Sequence, residues 1–430
     1  MRAPVPNFVV VGGGQAARWI VITLRQEGYD GPIVWMSDEP RHPYERPPLS
    51  KSVLLGSTSV DEIALFRDDT FESLAVDWRA GCRVKQIDRS GRFVRTSDGG
   101  QISYSCLFLA TGGCARQLEG VAAHPRIHTL RTAADALQIK RQLDEARHVL
   151  VLGGGWIGLE VAASARSRGR RVTLVEAVPR LCQRSVPPVV SEYLRTLHQE
   201  HGVDLQLGAM VSGVHADSQG VTLGIDGGDS LRGDMLVVGI GMQPNSGLAA
   251  SAGLATDNGI VVDADCRTSD PHIFAAGDVA NGLRSDGRRS RLESWDNAQR
   301  MGITAARAAL GQLGSQDDKS PAWFWSDQYE ENLQILGTPD PGLRIVERDS
   351  VARRHRVMYF CTSDRIEGVV AINAGREIKV ARKWMTNGSF PNLDDLQSTA
   401  MDVAKLPCTA AQQVDKGEEP HDNMEHSRNA

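Results

Sequence analysis

The 430-residue sequence predicts an α/β fold of about three domains, and three observations carry that expectation. A β-branched run that breaks at clustered glycines and leads into a helical stretch occurs twice. Each copy continues into a second apolar strand that ends in an acid. Beyond Gly314 this alternation gives way to strand-like segments followed by a helix, the pattern of a separate α+β domain.

In the first copy, Phe8-Val9-Val10-Val11 meets Gly12-Gly13-Gly14-Gln15-Ala16-Ala17. The spacing predicts a helix from about Arg18 to Glu27, with Ile20 and Leu24 on its buried face. After a Gly/Pro turn comes the strand Ile33 to Met36, ending at Ser37-Asp38. In the second copy, His148 to Leu152 runs into Gly153-Gly154-Gly155-Trp156-Ile157-Gly158. A helix through Leu159–Ala163 follows, then the strand Val172 to Val175, ending at Glu176. Three further apolar runs break at glycine, as a chain does where backbone must approach a ligand. They are Leu107–Ala110 before Thr111-Gly112-Gly113, Met235–Val238 before Gly239-Ile240-Gly241, and Ile273–Ala276 before Gly277-Asp278. In the last part, strands are expected at Leu333–Gly337, Arg356–Cys361 and Ile366–Ile372, and a helix over Arg376–Met385. Asp415 to Ala430 carries five acids against two bases and almost nothing apolar, so a disordered tail is expected there.

Composition narrows the function. With 48 Lys+Arg against 53 Asp+Glu the net charge is −5, which argues against a strongly basic nucleic-acid binder. No apolar run approaches the roughly 18 residues of a spanning helix, and the first residues lack a signal-peptide core, so no membrane partner and a cytoplasmic location are expected. The cysteines at 82, 106, 114, 182, 266, 361 and 408 are odd in number, scattered and without C-x-x-C spacing. That argues against a disulfide framework, zinc or a resident iron–sulfur cluster, so no metal site is expected and redox chemistry would need a bound cofactor.

Two glycine units mean two Rossmann-like dinucleotide-binding units. A helix amino terminus offers unpaired N–H groups and partial positive charge to a pyrophosphate. The first glycine permits the turn, the second removes a Cβ from the phosphates, and the third lets helix and strand pack. Gly153, Gly155 and Gly158 meet all three demands; Gly12 and Gly14 meet two, with Ala17 third. Glu176 would accept from the ribose hydroxyls and repel a 2′-phosphate, favouring NADH over NADPH. Asp38 takes that part in the first unit, with the assignment open by one residue to Glu39.

The set of motifs resembles the FAD-dependent pyridine nucleotide oxidoreductases, and within them the ferredoxin–NAD+ reductase components of bacterial aromatic-ring-hydroxylating dioxygenases, such as biphenyl dioxygenase systems. The carrying residues include Gly12–Ala17, Pro43-Tyr44-Glu45-Arg46-Pro47-Pro48-Leu49-Ser50-Lys51, Ala110-Thr111-Gly112 and Gly153–Glu160. Gly239–Gly241, Ala276-Gly277-Asp278, Glu293–Gln299 and Trp323–Gln328 complete the set. The match runs from about residue 7 to 406.

This resemblance implies a glutathione reductase-like fold. A discontinuous FAD domain would span 1–114 and 244–314, an NAD domain 115–243, an α+β reductase domain 315–407, and a disordered tail 408–430. Gly12, Gly14, Ala17, Asp38, Arg46, Thr111, Gly112 and Asp278 would hold FAD, with Asp278 at the ribityl chain. Lys51 and Glu160 would pair beside flavin N5 as the catalytic residues, Lys51 itself touching the flavin. Trp325 would lie at the flavin's pyrimidine edge, with Trp295 and Glu293 completing the pocket floor. Gly153, Gly155, Gly158, Glu176, Gly241 and Glu293 would serve NADH. The stretch Tyr44–Leu55 holds no cysteine, so electrons would leave the flavin directly, not through a thiol relay.

By the same resemblance the acceptor would be a small [2Fe–2S] ferredoxin, often Rieske-type, that feeds an oxygenase. Such ferredoxins are commonly acidic, so docking is expected on Arg284, Arg288, Arg289 and Arg291, on Arg353, Arg354 and Arg356, or on Lys379, Arg382 and Lys383. A rubredoxin reductase or a monooxygenase-type ferredoxin reductase shares every cofactor motif and is the alternative. A signalling flavoprotein like apoptosis-inducing factor shares the Arg-Pro-Pro-Leu-Ser-Lys motif but binds DNA through basic surface. The oligomeric state stays open.

Overall fold

Two five-stranded parallel sheets repeat one plan in the computed structural model, which describes residues 7–283, 287–312, 320–350, 355–398 and 401–410. The first sheet runs Ile273–Ala275, Cys106–Leu109, Phe8–Val11, Ile33–Met36, Asp77–Arg79. The second runs Ile127–Thr129, Met235–Val238, His148–Leu152, Arg171–Glu176, Val203–Leu207. In each, the central strand is the one that breaks at the glycine turn, and pairing is in register with both neighbours, as in Phe8 with Ile33 and with Cys106. The repeat extends further than the motifs. Each unit adds a three-stranded antiparallel meander, Val84–Asp88 to Gln101–Ser103 in the first and Val211–Asp217 to Leu231–Gly233 in the second. Only the outermost strand differs in origin. The first sheet takes it from Ile273–Ala275, after the second unit, whereas the second takes it from Ile127–Thr129, before its own glycine turn.

Phe8–Val11 and Val149–Leu152 in the central strands are buried, because helices or meanders cover both faces of a parallel sheet. The helices after the glycine turns begin earlier than the hydrophobic periodicity suggests, at Gln15 and at Trp156. Each starts directly on the last glycine of the turn, with Gly14 and Gly155 as extended N-caps.

The third unit is an antiparallel sheet, in the order Trp323–Gln328, Glu331–Gly337, Ile366–Ile372, His355–Cys361, Arg344–Ser350. The helix Gly375–Asn387 packs on it through Ile378, Ala381 and Trp384. Sequence periodicity did not mark Arg344–Ser350, whose charges Arg344, Glu347, Arg348 and Asp349 blunt an edge strand. The boundary of the expected disordered tail also needs correction. Cys408–Ala410 is a strand, antiparallel to Ser389–Pro391, in a two-stranded sheet. Residues 411–430 lie outside the described residues.

One helix touches all three units. Every residue of Trp156–Ser167 from Gly158 to Ala165 is buried. A single apolar core joins its Leu159 and Val161 to Leu49 and Leu54, in the segment between the strands Ile33–Met36 and Asp77–Arg79 of the first unit, and to Leu333 and Ile335 of the third. Any polar side chain between Gly158 and Ala165 is therefore held away from water and must find protein partners.

Candidate active site

A cleft of about 1780 Å³ opens between the units and is lined without a break from Gly12–Gly14 to Glu176. Of the residues singled out in the sequence, Asp38, Arg46, Lys51, Thr111, Gly112 and Asp278 line it. So do Gly153, Gly155, Glu160, Gly241, Glu293, Trp295 and Trp325. Ala17 and Gly158 lie behind its wall, buried against their own strands.

The two glycine turns show which glycines answer to the protein and which to a ligand. Gly12 has φ +126° and a Cβ there would sit 2.1 Å from the Ala110 carbonyl oxygen; at Gly158 it would sit 1.9 Å from that of Gly153. Those positions are required by packing. At Gly14 and Gly155 a Cβ would meet no protein atom within 4 Å and would point into open cleft. No side chain caps either helix, so the first-turn N–H groups face that space. Gln15, on the first turn at the cleft, is half-buried, and its amide nitrogen and oxygen are both buried and unpartnered. Open cradles, uncapped helix starts and an orphaned amide fit the pyrophosphate of a dinucleotide such as FAD in the first unit and NADH in the second.

The acids at the strand ends differ. Glu39 is engaged: it takes Arg46 Nη2 at 2.7 Å and the Tyr44 hydroxyl at 2.5 Å. Asp38 is exposed to the cleft. Glu176 accepts from Gly154 N–H at 2.5 Å and from Val178 N–H at 3.0 Å, which fixes its carboxylate beside the turn.

Lys51 and Glu160 form the polar centre. Their Nζ–Oε1 distance is 3.0 Å, with the glutamate side chain 4% and the lysine 15% exposed. Glu160 also accepts from the Ser326 hydroxyl at 2.6 Å and from the Ser50 hydroxyl. A second tie, Ser164 Oγ to the Ser50 carbonyl at 2.7 Å, clamps the Pro47–Lys51 segment to the helix. Burial is costly for a carboxylate, and three donors compensate it. Cys182 also lines the cleft, and the sequence reading did not find it; burial, with the Glu160 and Glu176 carboxylates adding to it, pushes its thiol up, so it stays a neutral thiol.

Arg131 is a second residue that the sequence reading missed. It pairs with Asp278 at 2.8 Å, donates to the Gly113 carbonyl, and its own carbonyl accepts from Arg46 at 2.7 Å. Nothing around it in the sequence marks it, because it begins the loop before an ordinary capping box at Thr132. Thr111 and Asn245 exchange two hydrogen bonds, 3.0 and 2.9 Å, where the chain crosses between the units.

At the other end, Trp325 lies with its ring centroid 5.9 Å from Lys51 Nζ, 6.1 Å from Trp295 and 4.8 Å from Trp323. Glu293 lines this end and pairs with Arg291 at 2.6 Å. That pairing corrects the docking expectation for Arg291: its side chain is 7% exposed and is spent on Glu293 and on the carbonyls of Asn258 and Asp278. Arg356 is likewise paired with Glu347 and Asp349. Arg288 and Arg289 are exposed, as are Lys379 and Lys383; Arg382 stacks over Trp323 and reaches Asp296 at 3.8 Å. Arg284, Arg353 and Arg354 lie outside the described residues.

Comparison with known proteins agrees with this geometry. Residues 6–302 match the pyridine nucleotide-disulphide oxidoreductase family, and residues 323–407 match the reductase C-terminal family. The chain is 42% identical over 397 residues to the anthranilate 1,2-dioxygenase system ferredoxin–NAD(+) reductase component of Burkholderia cepacia, covering 90% of this chain and 96% of that one. It is 36% identical over 385 residues to the 3-phenylpropionate/cinnamic acid dioxygenase ferredoxin–NAD(+) reductase component of Photorhabdus laumondii, covering 89% and 96%. Among solved structures, the covalent putidaredoxin reductase–putidaredoxin complex superposes with a TM-score of 0.86 at 34% identity, over 93% of this chain and 98% of that one.

Proposed function

The chain belongs to the pyridine nucleotide-disulphide oxidoreductase family, and from that membership we propose that it is a flavoprotein reductase carrying electrons from NADH through FAD to a small [2Fe–2S] ferredoxin. The ferredoxin would supply an aromatic-ring-hydroxylating oxygenase, in keeping with the dioxygenase systems of the two relatives. The observation that carries this reading is the buried Lys51–Glu160 pair at the middle of a cleft with a dinucleotide cradle at each end.

Bound FAD would supply hydride acceptance and one-electron release. Gly12 and Gly14 would admit its pyrophosphate, Asp38, left free where Glu39 is engaged, its ribose, and the Arg131–Asp278 pair its ribityl chain. Gly153, Gly155 and Glu176 would place NADH against the same centre, on a turn that Gly158 lets pack closely, with Gly241 and Glu293 along its path. Lys51 presents a positive charge where negative charge develops on reduction, and Glu160 keeps that ammonium in position. Trp325 and Trp295 close the far end and exclude water. The same division assigns 1–114 with 244–314 to FAD, 115–243 to NAD and 315–407 to the third unit. Its support is the pairing of Ile273–Ala275 with Cys106–Leu109, and of Met242–Pro244 with Gly113–Ala115 at the boundary.

The partner would be acidic and of Rieske type, docking beside the Trp295 rim on Arg288 and Arg289 and on the Lys379 and Lys383 helix face. No helix among the described residues is long and apolar enough to cross a membrane. With all seven cysteines unpaired, we place the reaction in the reducing cytoplasm. Anaerobic mixing of the FAD-loaded protein with NADH tests the core of this reading. Bleaching of the flavin absorbance is expected, and an unchanged spectrum would contradict it.

A further inference from the structure

Behind Glu160 a line of hydrogen bonds runs away from the cleft into the junction of the second and third units. Ser326, which donates to Glu160 at 2.6 Å, is itself reached by Gln328 Nε2 at 3.0 Å. Gln328 Oε1 lies 2.8 Å from His198 Nε2, and His198 Nδ1 lies 3.2 Å from the Tyr329 hydroxyl. Ser326, Gln328 and His198 are 0%, 3% and 0% exposed. None of them touches the cleft. His198 projects from the helix Pro188–Glu200, and Ser326 and Gln328 from the strand Trp323–Gln328.

Donor and acceptor chemistry gives this line a direction. A carboxylate can only accept, so Ser326 must give it its single proton. Ser326 can then only accept from Gln328, which turns the Gln328 amide so that its oxygen faces His198. The imidazole must therefore carry its proton on Nε2 and accept on Nδ1 from Tyr329. Every donor points towards Glu160. Reversing any one member reverses all of them and leaves a chain that suits only a protonated Glu160. His198 holds a neutral ring: burial lowers its basicity to about 4, with His201 one helical turn away adding to that and the Gln328 hydrogen bond opposing it.

We infer that His198 is a positioning residue for this centre, acting through Gln328 and Ser326 to keep Glu160 an ionised partner for Lys51. This inference rests on the reading of Lys51 and Glu160 as the reductase centre. The charged and titratable groups around the line are few. Glu160 faces Lys51 and the neutral Cys182. At the outer end, His201 stacks on Tyr329 at 3.6 Å and lies 3.6 Å from Glu330, and the charge of Arg166 acts on the Tyr329 hydroxyl. Among the described residues, the His198 ring nitrogens meet Gln328 and Tyr329 and no carboxylate.

The test uses FAD-loaded full-length protein and two readouts. Histidine ring-nitrogen NMR, with His198 assigned by its loss in His198→Phe, should show a proton on Nε2 and none on Nδ1 in the wild type. Stopped-flow bleaching of the flavin by NADH across pH should then show the acid limb of His198→Phe moved up by about one pH unit: Gln328, no longer held by the ring, is free to turn its oxygen to Ser326 and draw that hydroxyl proton away from Glu160, and a carboxylate that loses a hydrogen-bond donor protonates more readily. On that limb its rate at a given pH should fall about tenfold, with NADH affinity unchanged. His198→Gln, which keeps an N–H donor, should restore the wild-type limb, and Gln328→Met should reproduce the shift with the histidine in place. An Nδ1-protonated ring, or a folded His198→Phe and Gln328→Met with the wild-type pH profile, would overturn the inference. A wild-type protein that NADH does not bleach would overturn the reductase reading, and the role of His198 with it.

Discussion

Lys51 Nζ and Glu160 Oε1 meet at 3.0 Å although they come from different dinucleotide units, and the contact is buried under the third. Lys51 follows the short 3₁₀ turn Pro47–Ser50, and Glu160 sits one turn into the helix that faces the NAD-side cleft. The pair therefore reads out the relative placement of both nucleotide sites.

Removing one member of this pair strands the other. Breaking a buried ion pair costs about 3–5 kcal/mol, whereas replacing both partners by apolar groups of similar size is often neutral. Lys51→Met and Glu160→Leu should each lower the thermal midpoint, and the double variant should recover most of the loss while staying unable to oxidise NADH. A double variant whose loss equals the sum of the two would count against the pair as an energetic unit.

The glycines separate ligand effects from folding effects. Gly155→Val points its new side chain into open cleft, so the apoprotein should melt like the wild type while NADH affinity falls at least about tenfold. Gly158→Ala meets the Gly153 carbonyl and should lower the melting temperature before any ligand is added. Isothermal titration beside thermal melts distinguishes the two outcomes.

Nucleotide choice should follow Glu176. Its carboxylate is held by two backbone N–H groups and would repel a 2′-phosphate. Glu176→Gln removes the charge, and the preference for NADH over NADPH in flavin bleaching should fall about tenfold, a change of about 1.4 kcal/mol. An unchanged ratio would remove Glu176 from the ribose.

Acid stability should depend on His198. Its folded pKa is lowered from 6.5 to about 4 by burial. Between those values the unfolded chain takes a proton that the folded ring refuses, so stability is full above about 6.5 and falls as pH drops towards about 4, by about 3 kcal/mol. The melting temperature of His198→Phe should change less than that of the wild type over that window. Equal slopes would show that the ring is not the titrating group.

Much of the fold was legible because its strongest signals are local. Val9–Val11 and Val149–Val151 are buried on both faces, so they read as uninterrupted apolar runs, and the glycines that follow are demanded by φ and by contact with neighbouring backbone. The motif residues of the cleft were legible for the same reason. Arg131, Cys182 and the His198–Gln328–Ser326 line were not. Arg131 and the hydrogen-bonded line take partners from other units, Cys182 is set apart only by its burial in the cleft wall, and nothing in the neighbouring sequence distinguishes an arginine before a capping box or a histidine within an amphipathic helix. The edge strand Arg344–Ser350 was missed because charges replace the alternation that marks a half-buried strand. Arg291 looked like part of a basic surface because the sequence does not show that its side chain folds back onto Glu293.

The most direct measurement is anaerobic stopped-flow reduction of an acidic Rieske-type [2Fe–2S] ferredoxin by the FAD-loaded protein and NADH, followed at the iron–sulfur absorbance across ionic strength. Ferredoxin should be reduced at the expense of NADH. Its rate should fall severalfold as salt rises from about 0.01 to 0.5 M, as screening of a charged encounter requires, while flavin bleaching by NADH stays constant. Flavin that NADH reduces but that passes no electrons to any such ferredoxin would contradict the assignment of this chain as a ferredoxin reductase.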